Sequence, residues 1–154
     1  MTIESFLTKL LEHCGVDSTD VKTEIVDTDD RIEVGLWLPE SESGVVIGFH
    51  GEVLDSIQRV LRILFSPDYE GKKIILDVNG YRQQRVEKLE QMTVSAARKV
   101  LETGRPFTFH SFLPSYERFV VHSALSDNEE FEGLESVSDG EGRMRRLTIG
   151  LKQS

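Results

Sequence analysis

The sequence predicts an α+β fold in two consecutive parts, and three observations support this prediction. Apolar residues recur every three or four positions in residues 3–14, as in a helix packed on one face. Apolar and polar residues alternate in residues 31–38, as in a strand with one buried face. Patterns of both kinds continue to about residue 151 without a low-complexity tract, so the prediction is a mixed fold rather than an all-helical or all-β one.

The first part is predicted to run helix, strand, strand, short helix, Gly-x-x-Gly loop, helix, strand. Gly15 ends the first helix, and the polar turn 28–30 joins the first two strands into an antiparallel hairpin. Pro67 and Gly71 stop the helix that follows the loop. The predicted ranges are helix 3–14, strands 21–27 and 31–39, helix 40–47, loop 48–51, helix 52–65 and strand 72–80.

The second part is predicted to begin with a long helix that Gly104 and Pro106 close. Pro114 and Ser115 mark the start of a further helix, and a glycine-containing turn joins the last two strands. The predicted ranges are helix 81–103, a strand-like stretch 106–112, a helix from 114, and strands at about 134–137 and 145–151. We therefore expect two domains, residues 1–79 and 80–154.

The charge distribution is more informative than the total of -9 in 154 residues. Residues 1–47 hold 3 basic and 11 acidic side chains, residues 48–125 hold 11 and 9, and residues 126–154 hold 4 and 7. Nucleic-acid phosphates are bound through lysine and arginine, so only the middle segment has a favourable balance. Cys14 is the only cysteine, which excludes an internal disulfide framework and indicates a reducing cytoplasm. Apolar runs are too short to span a membrane.

The stretch "GFHG", Gly48 to Gly51, lies between two predicted helices. A helix N-terminus presents backbone N–H groups and a positive dipole end, which favour an anion. Glycines have no side chain, so a sugar-phosphate backbone can approach them closely. The alternative is an ordinary tight turn between two helices.

This element order and loop resemble the KH domain of the second type (αββααβ), in which a Gly-x-x-Gly loop clamps about four nucleotides of a single strand. The resemblance implies that Gly48, Phe49, His50 and Gly51 bind nucleic acid. It also implies that a hydrophobic groove for bases lies near Ile47, Val53, Leu54 and Ile57, although some of these residues must instead face the core. Family members commonly have basic residues where this chain has Phe49 and His50, and Phe49 either stacks on a base or is buried.

Arg118 and His122 are four residues apart in the helix predicted from residue 114, so both project from one face. The following turn and strand carry Arg143, Arg145 and Arg146. This pattern resembles the R-3-H domain, a small α/β domain associated with single-stranded nucleic acid. The resemblance implies that Arg118 contacts phosphate and that His122 contacts phosphate or a base; the alternative is a structural pair.

Further candidate phosphate contacts are Arg82 and Arg85, one turn apart at the start of the long helix, together with Arg145 and Arg146. The alternative for each of them is an ordinary solvated surface position. Both alternatives stay open from the sequence alone.

A KH domain joined to an R-3-H domain over residues 1–152 resembles the bacterial Jag (KhpB) family of RNA-binding proteins. The resemblance implies non-catalytic binding of single-stranded RNA, or of single-stranded DNA, and a second small KH-domain protein as a partner. It also leads us to expect that the N-terminal domain of many members is absent here. The rival hypothesis is a protein-interaction adaptor with weak affinity for nucleic acid.

Catalytic and metal-binding signatures are missing from the sequence. The four histidines are scattered, no His-Glu-x-x-His motif occurs, and there is no Walker loop. We therefore predict no enzyme activity, no cofactor, no metal and no membrane partner.

Overall fold

The computed structural model describes residues 1–153, which form two compact units, Met1–Arg82 and a second that begins at Gln83. Helices and strands occur in both units, so the predicted α+β class is confirmed. The assignment of residues 1–79 and 80–154 to two domain families stays a prediction. None of the helices in residues 1–153 is long and apolar enough to cross a membrane.

The first unit contains three helices and three strands within the described residues. They are α1 Ile3–His13, β1 Lys22–Asp27, β2 Arg31–Trp37, α2 Glu40–Ile47, α3 Glu52–Phe65 and β3 Lys73–Val78. The predicted antiparallel hairpin of β1 and β2 is confirmed. Strand β3 pairs with β2 in parallel, which places β2 in the centre of the sheet.

The core of the first unit lies on one face of this sheet. Ile32, Val34 and Leu36 alternate along β2 and are fully or almost fully buried. They belong to one cluster with buried residues of α1, α2 and α3, so the helices cover this face. The residues between them, among them Glu33 and Trp37, point to the opposite face and are exposed.

Asn79 lies between β3 and the next helix. Its side-chain amide hydrogen-bonds to the main chain of Leu38 in the way that a neighbouring strand would. Its amide accepts a hydrogen bond from the Leu38 N–H at 3.0 Å and donates one to the Leu38 carbonyl at 2.8 Å. Its φ of 53° is left-handed, a conformation that asparagine adopts more readily than most residues. This bridge fixes the point at which the chain leaves the sheet.

The second unit contains a long helix, a second helix and a sheet. These elements are α4 Tyr81–Thr103, β4 Phe107–Thr108, α5 Ser115–Ser126, β5 Leu134–Asp139 and β6 Arg146–Leu151. The strands are antiparallel in the order β4-β6-β5. The strand predicted within residues 106–112 is only two residues long, and β5 extends two residues beyond its predicted end because Asp139 still pairs with Arg146.

A buried ion pair connects α4 and α5 within this unit. The Arg85 guanidinium binds both Glu117 carboxylate oxygens, with Nε–Oε1 and Nη2–Oε2 distances of 2.7 and 3.0 Å. Glu117 is only 4% exposed. A buried carboxylate is tolerated when a cation neutralises it and its oxygens are hydrogen-bonded.

We expect Arg85→Met to lower the free energy of unfolding by roughly 3 kcal/mol, because the buried Glu117 carboxylate would lose its cation. Urea denaturation followed by circular dichroism measures this change.

The matched control is Arg98→Met, which removes an equivalent pair with Glu130 whose side chains are 63% and 45% exposed. That change should cost much less than Arg85→Met, because solvent screens an exposed ion pair. Equal losses in the two variants would contradict the structural role of the buried pair.

Candidate nucleic-acid interface

The Gly-x-x-Gly loop has an unusual backbone conformation at three of its four residues. Gly48 has φ 71° and ψ -175°, a combination essentially restricted to glycine. His50 and Gly51 are left-handed, with φ of 52° and 81°. The loop forms a tight turn before α3, with the Gly51 N–H 3.4 Å from the Gly48 carbonyl oxygen, and glycine is needed for its shape.

The two glycines are also packed against the protein itself. A Cβ atom on Gly48 would collide with the Val53 side chain and lie 2.9 Å from Val53 Cβ. A Cβ on Gly51 would lie 3.1 Å from the ring of Tyr81. The sequence predicts that these glycines allow a ligand to approach closely. The structure shows another reason for glycine here: the bend of the loop and the packing against Val53 and Tyr81 leave no room for ordinary side chains.

Phe49 is the exposed feature of the loop. Its side chain is 58% exposed, so of the two alternatives for this residue the structure shows the accessible ring rather than the buried one. The Phe49 and His50 rings meet edge to face, with centroids 4.0 Å apart. Exposed aromatic rings of this kind stack on unpaired bases in proteins that bind single strands.

The residues expected around a base groove have different environments. Leu54 is fully buried, so it is one of the residues that face the core rather than a groove. Ile47 and Ile57 are half-buried and pack against that core. Val53 is 39% exposed and lies one turn after the loop.

Arg82 and Arg85 are both paired with carboxylates. Arg82 donates from Nη2 to Asp55 at 2.9 Å and from Nε to the Leu76 carbonyl at 3.1 Å. Arg85 forms the pair with Glu117 described above. A guanidinium beside a carboxylate has most of its charge compensated, so it attracts a phosphate less than an uncompensated one does.

Two serines on β5 bind His122 and Arg145, and Arg118 lies one helical turn before His122 on α5. His122 Nδ1 is hydrogen-bonded to Ser136 Oγ, and Arg145 Nε donates to Ser138 Oγ at 2.7 Å. Ser136 and Ser138 are two residues apart on one strand and therefore share a face. These five residues form what we call the arginine strip.

Arg118 and Arg146 are held by oxygens that carry no charge. Arg118 donates to the Leu113 carbonyl at 2.6 Å and to Ser115 Oγ at 2.9 Å. Arg146, next to the strip in the chain, donates to the carbonyls of Arg143 and Arg145 at 2.7 and 3.0 Å. Such bonds orient a guanidinium without cancelling its charge, so Arg118, Arg145 and Arg146 keep the positive potential that a phosphate requires.

Tyr116 and Phe119 are two candidate residues that the sequence analysis missed. They are 65% and 64% exposed and lie three residues apart on α5, the helix that carries Arg118 and His122. The sequence indicates their exposure, because both rings fall outside the buried apolar stripe formed by Val120, Val121 and Leu125. Ser136 and Ser138 also had a weak signal, as two serines alternating along a strand.

Beyond His122 the surface of the second unit becomes acidic. A cleft of about 630 Å³ is lined by residues that include His122, Ser136, Glu129, Glu132 and Glu135. Carboxylates repel phosphate, so an anionic ligand is directed towards the arginines rather than into this cleft. Among residues 1–153, no group of three His, Cys, Asp or Glu side chains is placed to hold a metal ion.

His122 is held in its neutral form at neutral pH. Burial lowers its pKa below the ordinary value of 6.5, and the charge of Arg118 lowers the pKa further. The cations of this surface at neutral pH are therefore the arginines, and the imidazole acts as a neutral hydrogen-bonding group.

Comparison with known proteins identifies the second unit and then the whole chain. Residues 87–150 match the R-3-H domain. The RNA-binding protein KhpB of Clostridium symbiosum is 32% identical over 139 residues, which is 88% of this chain. The chain belongs to the Jag (KhpB) family.

Other KhpB relatives are more distant but match much of the same chain. The RNA-binding protein KhpB of Streptococcus pneumoniae is 27% identical over 150 residues, or 96% of this chain, and that of Lactiplantibacillus plantarum is 27% identical over 116 residues, or 73%. The chain spans 59% of the length of the Clostridium KhpB, 44% of the Streptococcus one and 34% of the Lactiplantibacillus one.

We expect Gly48→Ala to lower the free energy of unfolding by about 1 to 3 kcal/mol, because alanine at this φ and ψ is strained and its Cβ meets Val53. Thermal or urea denaturation measures the loss.

Gly44→Ala is the matched control, since Gly44 lies within α2 with open space around it. Alanine should stabilise the protein there by up to about 1 kcal/mol, because it favours a helix over glycine. A Gly48→Ala variant as stable as the wild type would contradict the described loop.

We expect the wild type to lose stability relative to His122→Gln as the pH falls below about 6.5. The lowered pKa of His122 means that the unfolded chain binds this proton more readily than the folded one. The penalty disappears well above pH 6.5, where the histidine is neutral in both states. Melting temperatures of both variants at pH 7.5 and 5.5 measure it.

A proton NMR titration provides the direct check on this histidine. The pKa of His122 should lie below 6.5 and should rise in Arg118→Gln without reaching 6.5, because burial, the larger cause, remains. A wild-type value at or above 6.5 is incompatible with the described environment.

Proposed function

We propose that this chain binds single-stranded RNA without catalysing a reaction. The observation that carries the proposal is the arginine strip with Arg146 beside it: three guanidinium groups oriented by neutral oxygens on a surface that also exposes aromatic rings. The relatives in three bacteria are each named RNA-binding protein, which supports the same ligand class.

The arginines supply affinity for the phosphates. Arg118, Arg145 and Arg146 keep their charge, so on binding they would displace the counterions condensed on the RNA phosphates, and the release of those ions favours binding. Arg82 and Arg85 have carboxylate partners, and we leave both out of the proposed contact surface although the sequence pattern favours them.

The aromatic side chains favour an unpaired strand. Tyr116 and Phe119 are both almost two-thirds exposed, and each ring offers a face to one base. Bases within a duplex are already stacked on one another and are not available for this contact. Competition between RNA and DNA of the same sequence decides whether the 2′-hydroxyl is recognised.

The first unit supplies a second proposed site, of the KH type. Its α-β-β-α-α-β order, with the Gly-x-x-Gly loop between α2 and α3, supports this assignment. We propose that Phe49 stacks on a base while His50 and the loop backbone lie close to the strand. Two modest sites in one chain gain affinity from effective concentration when one strand reaches both.

The remaining expectations rest on the family resemblance. A second small KH-domain protein as a partner and a cytoplasmic location both stay predictions. The adaptor hypothesis also stays open, and the acidic residues of the first 47 positions are the observation that favours it.

Titration of fluorescently labelled single-stranded RNA at several salt concentrations tests the proposal by anisotropy. The logarithm of the affinity should fall linearly with the logarithm of the salt concentration, by roughly 0.7 for each phosphate bound. Arg145→Gln with Arg146→Gln should reduce this slope by about 1.4 if each arginine binds one phosphate.

Tyr116→Ala and Phe119→Ala should each weaken binding by about 1 to 3 kcal/mol and leave the salt slope unchanged. Arg98→Gln and Met92→Ala are the controls, since they alter an exposed cation and an exposed apolar side chain of α4. Neither control should change affinity or slope. Absence of binding even at low salt would overturn the proposal in favour of the adaptor.

A further inference from the structure

The open face of the first sheet has features that RNA binding does not explain. This face lies opposite the helices and the Gly-x-x-Gly loop, and it contains a groove of about 340 Å³. The chain's single tryptophan, Trp37, lies in this groove and is 48% exposed. A large aromatic ring left at the surface of a soluble unit often marks a binding site.

Trp37 is placed over the centre of the sheet because the residue beneath it is glycine. A Cβ atom on Gly35 would lie 3.5 Å from Trp37 Nε1, so the indole reaches back across that position. Glu24 and Asp77 are the cross-strand neighbours of Gly35 on β1 and β3. With strands about 4.8 Å apart, the two acidic residues flank the indole on either side.

The rest of the groove floor consists of two aliphatic residues around Glu33, which is paired with Arg31. Val26 and Ile75 lie on the same face as Trp37, on either side of Glu33. The groove therefore combines an aromatic ring, an aliphatic floor and a carboxylate rim. A side chain with an aliphatic stem and a cationic head matches all three, and that description fits arginine and lysine.

The chain's own basic side chains on this face lie at its two ends, so they leave the groove open to the cation of a partner. Arg31 is paired with Asp30 and Glu33, both at 3.4 Å, and Lys73 lies beside Arg31 at the same end of the face. Lys22 lies across from Trp37 at the other end. The net charge of residues 1–47 is strongly negative, with 3 basic against 11 acidic side chains, which repels RNA and attracts a basic partner.

We propose that this groove binds an arginine or lysine side chain from a basic segment of a partner protein. The cationic head lies against the Trp37 indole between Glu24 and Asp77, and the stem packs on Val26 and Ile75. Within the first unit, this site lies on the face of the sheet opposite the helices that carry the proposed KH-type site.

Trp37 is also the means of testing the proposal, because its fluorescence reports on this groove alone. The probe is a short peptide of alternating arginine and serine, titrated into the full chain without RNA. We expect a saturable change in tryptophan emission that weakens as salt is added. The same peptide with uncharged citrulline in place of arginine should produce no such change.

Variants locate the contact with a labelled peptide and anisotropy. Trp37→Leu and Glu24→Gln should each weaken peptide binding about 3- to 10-fold. Glu90→Gln removes the same charge from an exposed position on α4 and should leave binding unchanged. Asp77 is not substituted because its carboxylate accepts a hydrogen bond from the Arg82 N–H.

The proposal would be overturned if the citrulline peptide bound as tightly as the arginine peptide, or if tryptophan emission showed no saturable change at millimolar peptide. Wild-type affinity for the peptide in both groove variants would also overturn it. A change of emission on adding RNA alone, or on raising the protein concentration alone, would assign the face to RNA or to a second copy and would also overturn it. Loss of RNA binding in an arginine-strip variant that still binds the peptide would leave this site intact.

Discussion

The chemical nature of the oxygen that holds each arginine determines which surfaces of this protein attract an anion. A guanidinium bound to a carboxylate, as in Arg82 and Arg85, has a local partner of opposite charge. A guanidinium bound to carbonyl or hydroxyl oxygens, as in Arg118 and Arg146, is equally well oriented but remains a cation. With an overall charge of -9, the chain presents positive potential only where cations are not compensated by nearby carboxylates.

The fold was largely predictable because burial imposes regular spacing on apolar residues. The stripe of α1 and the alternation along β2 are local consequences of packing on one face, and both elements form where they were expected. The parallel pairing of β2 with β3 was not predicted, since it joins segments about 40 residues apart through hydrogen bonds that any sequence can make. The short β4 was overestimated because its aromatic residues Phe107 and Phe109 alternate as they would in a longer strand.

The candidate site was predictable at the level of residue position but not of atomic partner. Helical spacing alone places Arg118 and His122 on one face of α5. Nothing in the sequence marks Glu117 as the buried partner of Arg85, since a glutamate in a helix is ordinarily exposed. The role of Ser136 depends on where β5 lies beside α5, and that of Ser138 depends on the pairing of β5 with β6, which brings Arg145 within reach.

The packing of the Gly-x-x-Gly loop also limits how this surface can change in evolution. Position 48 excludes side chains by its conformation and by Val53, and position 51 disfavours them because it is left-handed and close to the Tyr81 ring. Position 50 is left-handed and accepts asparagine or glycine most readily. Of the four loop positions, only position 49 has an exposed side chain and a φ that is not positive. Substitutions at this one residue can therefore change the chemistry of the loop without changing its backbone conformation.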